Sequence, residues 1–300
     1  PASEPAPTPA GAPAPRPASH RGTDIEALLA GLNPPQRAAV THAGSPLLVV
    51  AGAGSGKTRV LTRRVAFLIA QRNVHPGSIL AITFTNKAAA EMRGRVVDLV
   101  GNRARIMWVS TFHSACMRIL RKDIDRVGLR KNFSIYDDTD QRRLMTLVVR
   151  DQNLDTKRYP ARAILNWVSN CKNELVDSAR AAETAETPNA KIYAAAYDDY
   201  QRRLRAANAL DFDDLIMTTV ELLQHCPDVL EGYRRRFRHV LVDEYQDTNH
   251  AQYMLIKLLC GASEPEQAAA ARLVEAPELM VVGDSDQSIY AFQNTTIHNI

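Results

Sequence analysis

Cysteine is scarce and scattered in this 300-residue chain. Cys116, Cys171, Cys226 and Cys260 lie far apart, with no C-x-x-C pair among them. That spacing excludes a zinc ribbon or a dense disulfide framework and reads as buried or idle thiols in a reducing cytoplasm. Long apolar runs are lacking too. None approaches the roughly 18 residues that a membrane helix needs, so no membrane partner is expected. No charged start followed by an apolar block suggests a secretion signal. Excess charge of one sign is also missing: 37 Lys and Arg face 33 Asp and Glu, for a net charge of +4. A polyanionic partner is compatible with that balance but not demanded by it. No internal repeat is visible, and no methionine opens the chain, which reads as trimmed or recorded in part.

Pro1 to about Arg21 is rich in proline and alanine. Such a segment has little to bury and holds neither helix nor ladder, so residues 1–22 are expected to be a disordered tail. Beyond Asn33 the pattern changes. Pro46–Ala51 is a short continuous apolar run, the mark of a strand buried on both faces. The apolar spacing of Val60, Leu61, Val65, Leu68 and Ile69 predicts a helix over Thr58–Gln71. Further strand-like runs follow at Ile79–Phe84, Ile106–Val109, His239–Val242 and Leu279–Val282, with a helical stretch at Asn86–Val100. Strands alternating with helices predict an α/β fold around a parallel sheet. Between Cys116 and Ala209 strand runs disappear, and helical patterns at Thr139–Asp151, Ala161–Cys171 and Lys191–Ala207 predict an inserted, mostly helical subdomain. The expected organisation is 23–115 and 211–300 for the α/β domain, with 116–210 as the insert.

Three polar clusters sit at three predicted strand ends, the edge where open α/β sheets bind ligands. In the first, Ala51-Gly52-Ala53-Gly54-Ser55-Gly56-Lys57-Thr58 fits a phosphate-binding loop with alanine in place of the first glycine. Glycines let successive N–H groups turn inward around phosphate oxygens, and the following helix adds its dipole. Lys57 then serves the β- and γ-phosphates of ATP or GTP, and Thr58 offers a hydroxyl to Mg²⁺. In the second, Asp243 and Glu244 end the run His239–Val242. An acidic pair at a helix start is ordinarily dipole decoration. In a chain with a phosphate loop it reads as the Mg²⁺ carboxylate, Asp243, and the base that deprotonates attacking water, Glu244. The third cluster is Gly283-Asp284-Ser285-Asp286-Gln287-Ser288.

The set of segments resembles the superfamily 1A DNA helicases of the UvrD/PcrA/Rep type, from about Leu32 to Ile300. Leu32-Asn33-Pro34-Pro35-Gln36 is similar to the family's adenine-reading motif, which implies ATP through Gln36, and Arg59 matches a nucleoside-packing position. Thr83-Phe84-Thr85-Asn86-Lys87-Ala88-Ala89 and Thr111-Phe112-His113-Ser114 are similar to its DNA motifs. Leu210-Asp211-Phe212-Asp213-Asp214-Leu215 resembles the return from the insert. Asp243-Glu244-Tyr245-Gln246-Asp247 is similar to its D-E-x-Q-D signature, and Gly283–Tyr290 to its third motif, with Gln287 in a catalytic role. The resemblance implies a RecA-like P-loop domain, ATP and Mg²⁺ as cofactors, and single-stranded or 3′-tailed duplex DNA as partner. It further implies 3′ to 5′ movement, a cytoplasmic, nucleoid-associated place and DNA-repair proteins as partners. Phe84, Thr85, Asn86, Thr111, Phe112, His113, Tyr290 and Phe292 are the expected DNA contacts. Aromatic faces stack on bases while polar groups follow the phosphates.

The chain departs from the family at Gln293, where an arginine is usual. It also stops where the family continues into a second RecA-like domain, so the chain by itself is expected to be a weak ATPase that unwinds nothing. The arginine run Arg234-Arg235-Arg236 reads as solvated surface. Two other readings stand beside the helicase: the helicase arm of a helicase–nuclease, and a non-catalytic single-strand DNA-binding module. Lys57, Thr58, Asp243, Glu244 and Gln287 argue against the second, because a binding module has no use for a hydrolytic base. A protein-remodelling ATPase is disfavoured by the D-E-x-Q-D form.

Overall fold

The computed structural model describes residues 25–261 and 276–284. The expected tail lies outside them, as do Gln287, Tyr290, Phe292 and Gln293. Seven strands occur among the described residues: β1 (Leu47–Val50), β2 (Ile79–Thr83), β3 (Trp108–Thr111), β4 (Ser134–Ile135), β5 (Ala209–Leu210), β6 (His239–Val242) and β7 (Glu278–Gly283). Five of them form one sheet in the order β1-β7-β6-β2-β3, every pair parallel. All five carboxyl ends therefore meet along one edge. The predicted strand over Ile106–Val109 is shifted, because residues Asn102–Ile106 close a 3₁₀ turn and β3 starts only at Trp108.

Alternation along the buried strands builds two cores. Leu80, Ile82, Val240, Val242 and Val281 point to one face of the sheet. Ile79, Ala81, Leu241, Met280 and Val282 point to the other. Helices α1 (Ile25–Leu29), α2 (Pro34–Thr41), α3 (Lys57–Ala70) and α4 (Asn86–Val100) cover the second face with Val40, Val65, Leu68 and Met92. The first face is covered by α5 (Phe112–Asp123) and, later in the chain, by three more helices. Side-chain caps are the cause of the starts of α2 and α4. Asn33 and Gln36 form a reciprocal capping box on α2, with Pro34 at the first position, and the Thr85 hydroxyl accepts the Ala88 N–H to open α4.

The insert has its own core. Helices α6 (Asp138–Asp151), α7 (Ala161–Asn173), α8 (Ser178–Thr184) and α9 (Pro188–Ala206) close around Met145, Val148, Ile164, Tyr197 and Tyr200. Then α10 (Phe212–His225), α11 (Pro227–Arg236) and α12 (His250–Cys260) return to the first face of the sheet. The chain leaves and re-enters through β4 and β5, which pair parallel over two residues each. Asn208, in the left-handed region at φ 50°, braces this neck by accepting the Arg130 N–H at 2.8 Å. Cys116, Ile119, Leu120, Ile124 and Phe133 pack in the sheet's core. The packing boundary thus lies near residue 134, whereas the sequence reading began the insert at 116. Amphipathic α5 looks alike in either location, so its pattern does not say which core it faces.

Two expectations about strands change. The apolar run Pro46–Ala51 predicts burial on both faces, but among the described residues β1 is the sheet's edge strand, with Leu48 and Val50 exposed. The apolar run reports chemistry, not the number of neighbours. β4 and β5 were not anticipated, because two-residue strands carry no periodicity.

Candidate active site

Between β1 and α3 the backbone turns through Gly54 at φ 73° and Gly56 at φ 86°. Only glycine enters that region freely. A Cβ on Gly56 would also come within 3.2 Å of Gln36 Nε2. No side chain caps α3, so its first N–H groups stay available to an anion, and Ala53, Gly54 and Ser55 are exposed beside them. A hollow of about 550 Å³ opens here, lined by Lys57, Thr58, Glu244 and Asp284 among others.

Lys57 is buried at 9% exposure. Its Nζ lies 2.9 Å from Asp284 Oδ2 and 3.7 Å from Glu244 Oε2. Burial pushes its pKa down, but the hydrogen bond to Asp284 and the charges of Glu244, Asp284 and Asp243 more than reverse this, leaving it raised. A firmly charged ammonium is what a phosphate needs, and phosphate oxygens would compete with Asp284 for it. The neighbouring Thr58 hydroxyl donates to Asp243 Oδ2 at 3.3 Å. Asp243 is 3% exposed, and burial, then the charge of Glu244, holds its carboxyl above the usual range. A hydroxyl lining the hollow with a buried carboxylate directly behind it suits a divalent cation that takes its other ligands from phosphate and water. Among the described residues no group of three His, Cys, Asp or Glu side chains gathers as a self-sufficient metal site.

Glu244 stands at φ 47° and ψ 46°, left-handed for a residue with a Cβ, at a cost on the order of 1 kcal/mol. Its amide and its carboxylate are each held by a hydrogen bond, and a third bond anchors Gln246. The Glu244 N–H donates to Asp243 Oδ1 at 3.1 Å, and Gln246 Nε2 donates to Glu244 Oε2 at 2.8 Å. Gln246 Oε1 accepts the Asp284 N–H at 3.0 Å. Gln246 therefore ties the ends of β6 and β7 together and aims the Glu244 carboxylate. The sequence reading gave Gln246 and Asp284 no individual role, although both stand inside motifs it quoted. Arg95, on α4, lines the same hollow, and none of the sequence motifs includes it. Its guanidinium is paired with Glu91. Arg59 donates to the Ala30 carbonyl at 3.4 Å.

Gln36 spends both ends of its amide locally. Oε1 accepts the Asn33 N–H at 3.1 Å, and Nε2 donates to the Ser55 carbonyl at 2.8 Å. It clamps the phosphate loop to α2 and retains one N–H and one lone pair for a base.

The loops after β2 and β3 share the sheet edge with this hollow. Phe84 is half-buried, while Thr85 and Asn86 are exposed at the start of α4. Thr111 caps α5 through the Ser114 N–H and is buried. Phe112 is 2% exposed and packs edge-on against Phe84, 5.7 Å between centroids. Its face belongs to the core and is not offered to a base. Half-buried His113, its pKa lowered by burial, meets the ring of Phe212 edge-on at 5.7 Å. Phe212 is 49% exposed. In the sequence Phe212 stands within the return segment Leu210–Leu215, and an aromatic residue set between two acids there was the available signal.

Known proteins are similar to this chain in sequence. The UvrD/REP helicase N-terminal domain family matches residues 32–300. ATP-dependent DNA helicase UvrD1 of Mycobacterium tuberculosis is 61% identical over 279 residues, covering 92% of this chain and 35% of its own length. UvrD1 of Mycobacterium leprae is 58% identical over 286 residues, 93% of this chain and 36% of its own. ATP-dependent DNA helicase PcrA of Staphylococcus aureus is 49% identical over 276 residues, 92% of this chain and 36% of its own. The chain thus spans about a third of the length of the curated relatives it matches. A family match over nearly the whole chain and identities of this size leave one conclusion: the chain belongs to the UvrD/REP helicase N-terminal domain family.

Proposed function

We propose that the protein is an ATP-dependent motor on single-stranded DNA that moves 3′ to 5′ and separates 3′-tailed duplex in cytoplasmic DNA repair or replication. One observation carries the reading. Lys57, the Thr58–Asp243 pair and the braced Glu244 stand at the same sheet edge as Phe84, Thr85, Asn86 and His113, with Phe212 against the His113 ring. ATP chemistry and a DNA track on one rigid edge can be coupled.

In this reading Lys57 exchanges Asp284 for phosphate oxygens, assisted by the uncapped N–H groups of α3. Thr58 and Asp243 hold Mg²⁺, which supplies positive charge at the phosphates when bound. Glu244 orients the attacking water and accepts its proton, and Gln246 keeps that carboxylate from swinging away. Gln36 reads adenine with its remaining donor and acceptor. Thr85 and Asn86 follow DNA phosphates while Phe84 and Phe212 offer ring faces to bases, together with Tyr290 and Phe292. Gln287 joins the catalytic set. Among the described residues lining the hollow, the guanidiniums of Arg59 and Arg95 are turned to Ala30 and Glu91. The 300-residue chain alone is therefore proposed to hydrolyse ATP slowly, with little stimulation by DNA. No membrane is involved in this reading, and no helix among the described residues is long and apolar enough to cross one.

Single-turnover ATP hydrolysis by the full-length protein, with and without oligothymidine, tests the proposal. Glu244→Gln is expected to keep Mg·ATP affinity within about threefold while hydrolysis falls by about a hundredfold or more. An affinity loss as large as the rate loss would sink the assignment of Glu244 as base. Displacing streptavidin from 3′- or 5′-biotinylated oligonucleotides reads the direction.

A further inference from the structure

Away from the nucleotide edge, a second concavity wraps around the open edge of the sheet at the amino end of β3. It measures about 770 Å³ and is lined by Arg93, Arg105, Ile106, Trp108, Arg118 and Arg236, with Asp98 as its one acid. Among the described residues none of the four arginines forms an ion pair with a carboxylate. Two of them are held by the indole instead. The Arg118 guanidinium lies 3.7 Å from the Trp108 ring centroid and the Arg236 guanidinium 4.6 Å, while Phe237 meets the same ring edge-on at 5.0 Å. Stacked this way, a guanidinium keeps its N–H edge free and loses little rotamer freedom on binding.

Protection of the strand edge explains only part of this. Charged side chains commonly blunt an edge strand, and the Arg93 guanidinium does so by donating to the Val109 carbonyl. Among the described residues Arg105, Arg118 and Arg236 hydrogen-bond no backbone group, and Ile106 stands 55% exposed among them. Four like charges collected around an exposed aliphatic side chain, against one acid, form an interface in search of carboxylates. The three arginines of the run 234–236 make the contrast plain. Arg234 donates to the carbonyls of Leu258 and Gly261, Arg235 pairs with Glu231, and Arg236 turns into the concavity.

We propose that this concavity docks an acidic segment of a partner protein that carries an aliphatic side chain beside its carboxylates. Charge complementarity and the fork geometry of the arginines select carboxylates, and Ile106 selects the aliphatic neighbour. Single-stranded DNA is the poorer occupant. Its bases need an exposed aromatic face, whereas Trp108 is 5% exposed beneath its two arginines and Ile106 cannot stack. The site lies at the opposite end of β3 from Thr111, about 10 Å of strand away. A partner held here leaves the ATP and DNA edge free. The inference does not rest on the proposed motor activity.

Fluorescence anisotropy of a labelled 12-residue peptide of alternating glutamate and leucine, added to the 300-residue chain, tests it. Saturable binding that weakens with salt is expected, with glutamine in place of glutamate weakening it by about tenfold or more. Arg105→Glu makes the same loss expected without touching the stack on Trp108, and Arg236→Gln tests the stacked pair, thermal melting serving as the control for folding. Absence of peptide binding overturns the proposal, as does binding indifferent to both substitutions. Labelled oligothymidine bound in place of the peptide, and lost in the same variants, also overturns it and makes the surface a second DNA contact.

Discussion

Lys57 and Lys172 are both buried, and each meets two carboxylates, yet they sit in contrasting surroundings. Lys57 Nζ faces Asp284 and Glu244 beside a hollow of about 550 Å³, and Glu244 keeps 38% of its side chain exposed. Lys172, on α7 of the insert, has a fully covered side chain. Its Nζ lies 2.7 Å from Asp211 Oδ2 and 2.8 Å from Asp214 Oδ1, both carboxylates belonging to the start of α10. The rings of Tyr197 and Tyr200 lie 5.7 and 5.3 Å from the ammonium, and the Tyr200 hydroxyl donates to Asp211 at 3.0 Å. The same three charges thus make an exchangeable cluster where solvent has access and a permanent rivet where it has none. One lysine is poised to change partners. The other joins the insert to the α/β domain.

Breaking the rivet should have the largest effect. Lys172→Met leaves two buried carboxylates without a counter-charge, and removing one partner of a buried pair typically costs about 3–5 kcal/mol. Urea denaturation of the chain is expected to show a loss of that size. A loss below about 1 kcal/mol would mean that water reaches the cluster and the contrast with Lys57 is false.

The rivet also carries a pH signature. Burial, then the charge of Asp211, pushes the Asp214 carboxyl up to about 6, although Lys172 pulls it down. The folded state thus holds this proton more tightly than the unfolded chain, where the value is near 3.8. Its contribution to stability is full below pH 4 and is lost as pH rises to about 6. The slope cannot exceed about 1.4 kcal/mol per pH unit for one group. Asp214→Asn should flatten stability between pH 4 and 6 relative to the unaltered chain. An unchanged slope would assign the titration elsewhere.

Tyr200→Phe removes one hydrogen bond to a charged group and should cost about 1.5 kcal/mol. A smaller loss than at Lys172 is expected at Lys57, although it is the residue that matters most to the proposed chemistry. Lys57→Met leaves Asp284, 2% exposed, without its counter-charge, but water reaches Glu244, so unfolding free energy should fall by less than in Lys172→Met. Calorimetry of Mg·ATP binding should nevertheless show affinity falling by at least tenfold. Equal stability losses at Lys57 and Lys172 would erase the distinction between them.

The phosphate loop, the Asp243–Glu244 pair and the parallel sheet were legible because each is local. Glycines at fixed offsets, an apolar run ended by acids, and alternating periods of two and 3.6 all lie within short windows of sequence. What long-range contact decides was not legible. Gln246 looks like any polar residue until its amide is seen bridging Glu244 and the backbone of Asp284. Phe112 stands in a motif beside polar neighbours, and only packing turns its ring inward. Lys172 lies in an ordinary amphipathic stretch. Its importance depends on Asp211 and Asp214, about forty positions away in the chain, and on the two tyrosines that seal them.

The neck of the insert has an architectural consequence. Ile135 and Leu210 are paired neighbours in β4 and β5, so the points of departure and return lie one strand spacing, about 4.8 Å, apart. Seen from the sheet, everything between them is a single appendage hung on a two-stranded hem. Lengthening, shortening or exchanging that appendage leaves the path of the main chain undisturbed, provided the replacement brings its own ends together at the same spacing and supplies a buried cation to Asp211 and Asp214 where Lys172 now stands. Such a seam gives evolution, and equally a protein engineer, a socket in which the helical layer can be retailored while the loop at Gly54–Thr58 keeps its position.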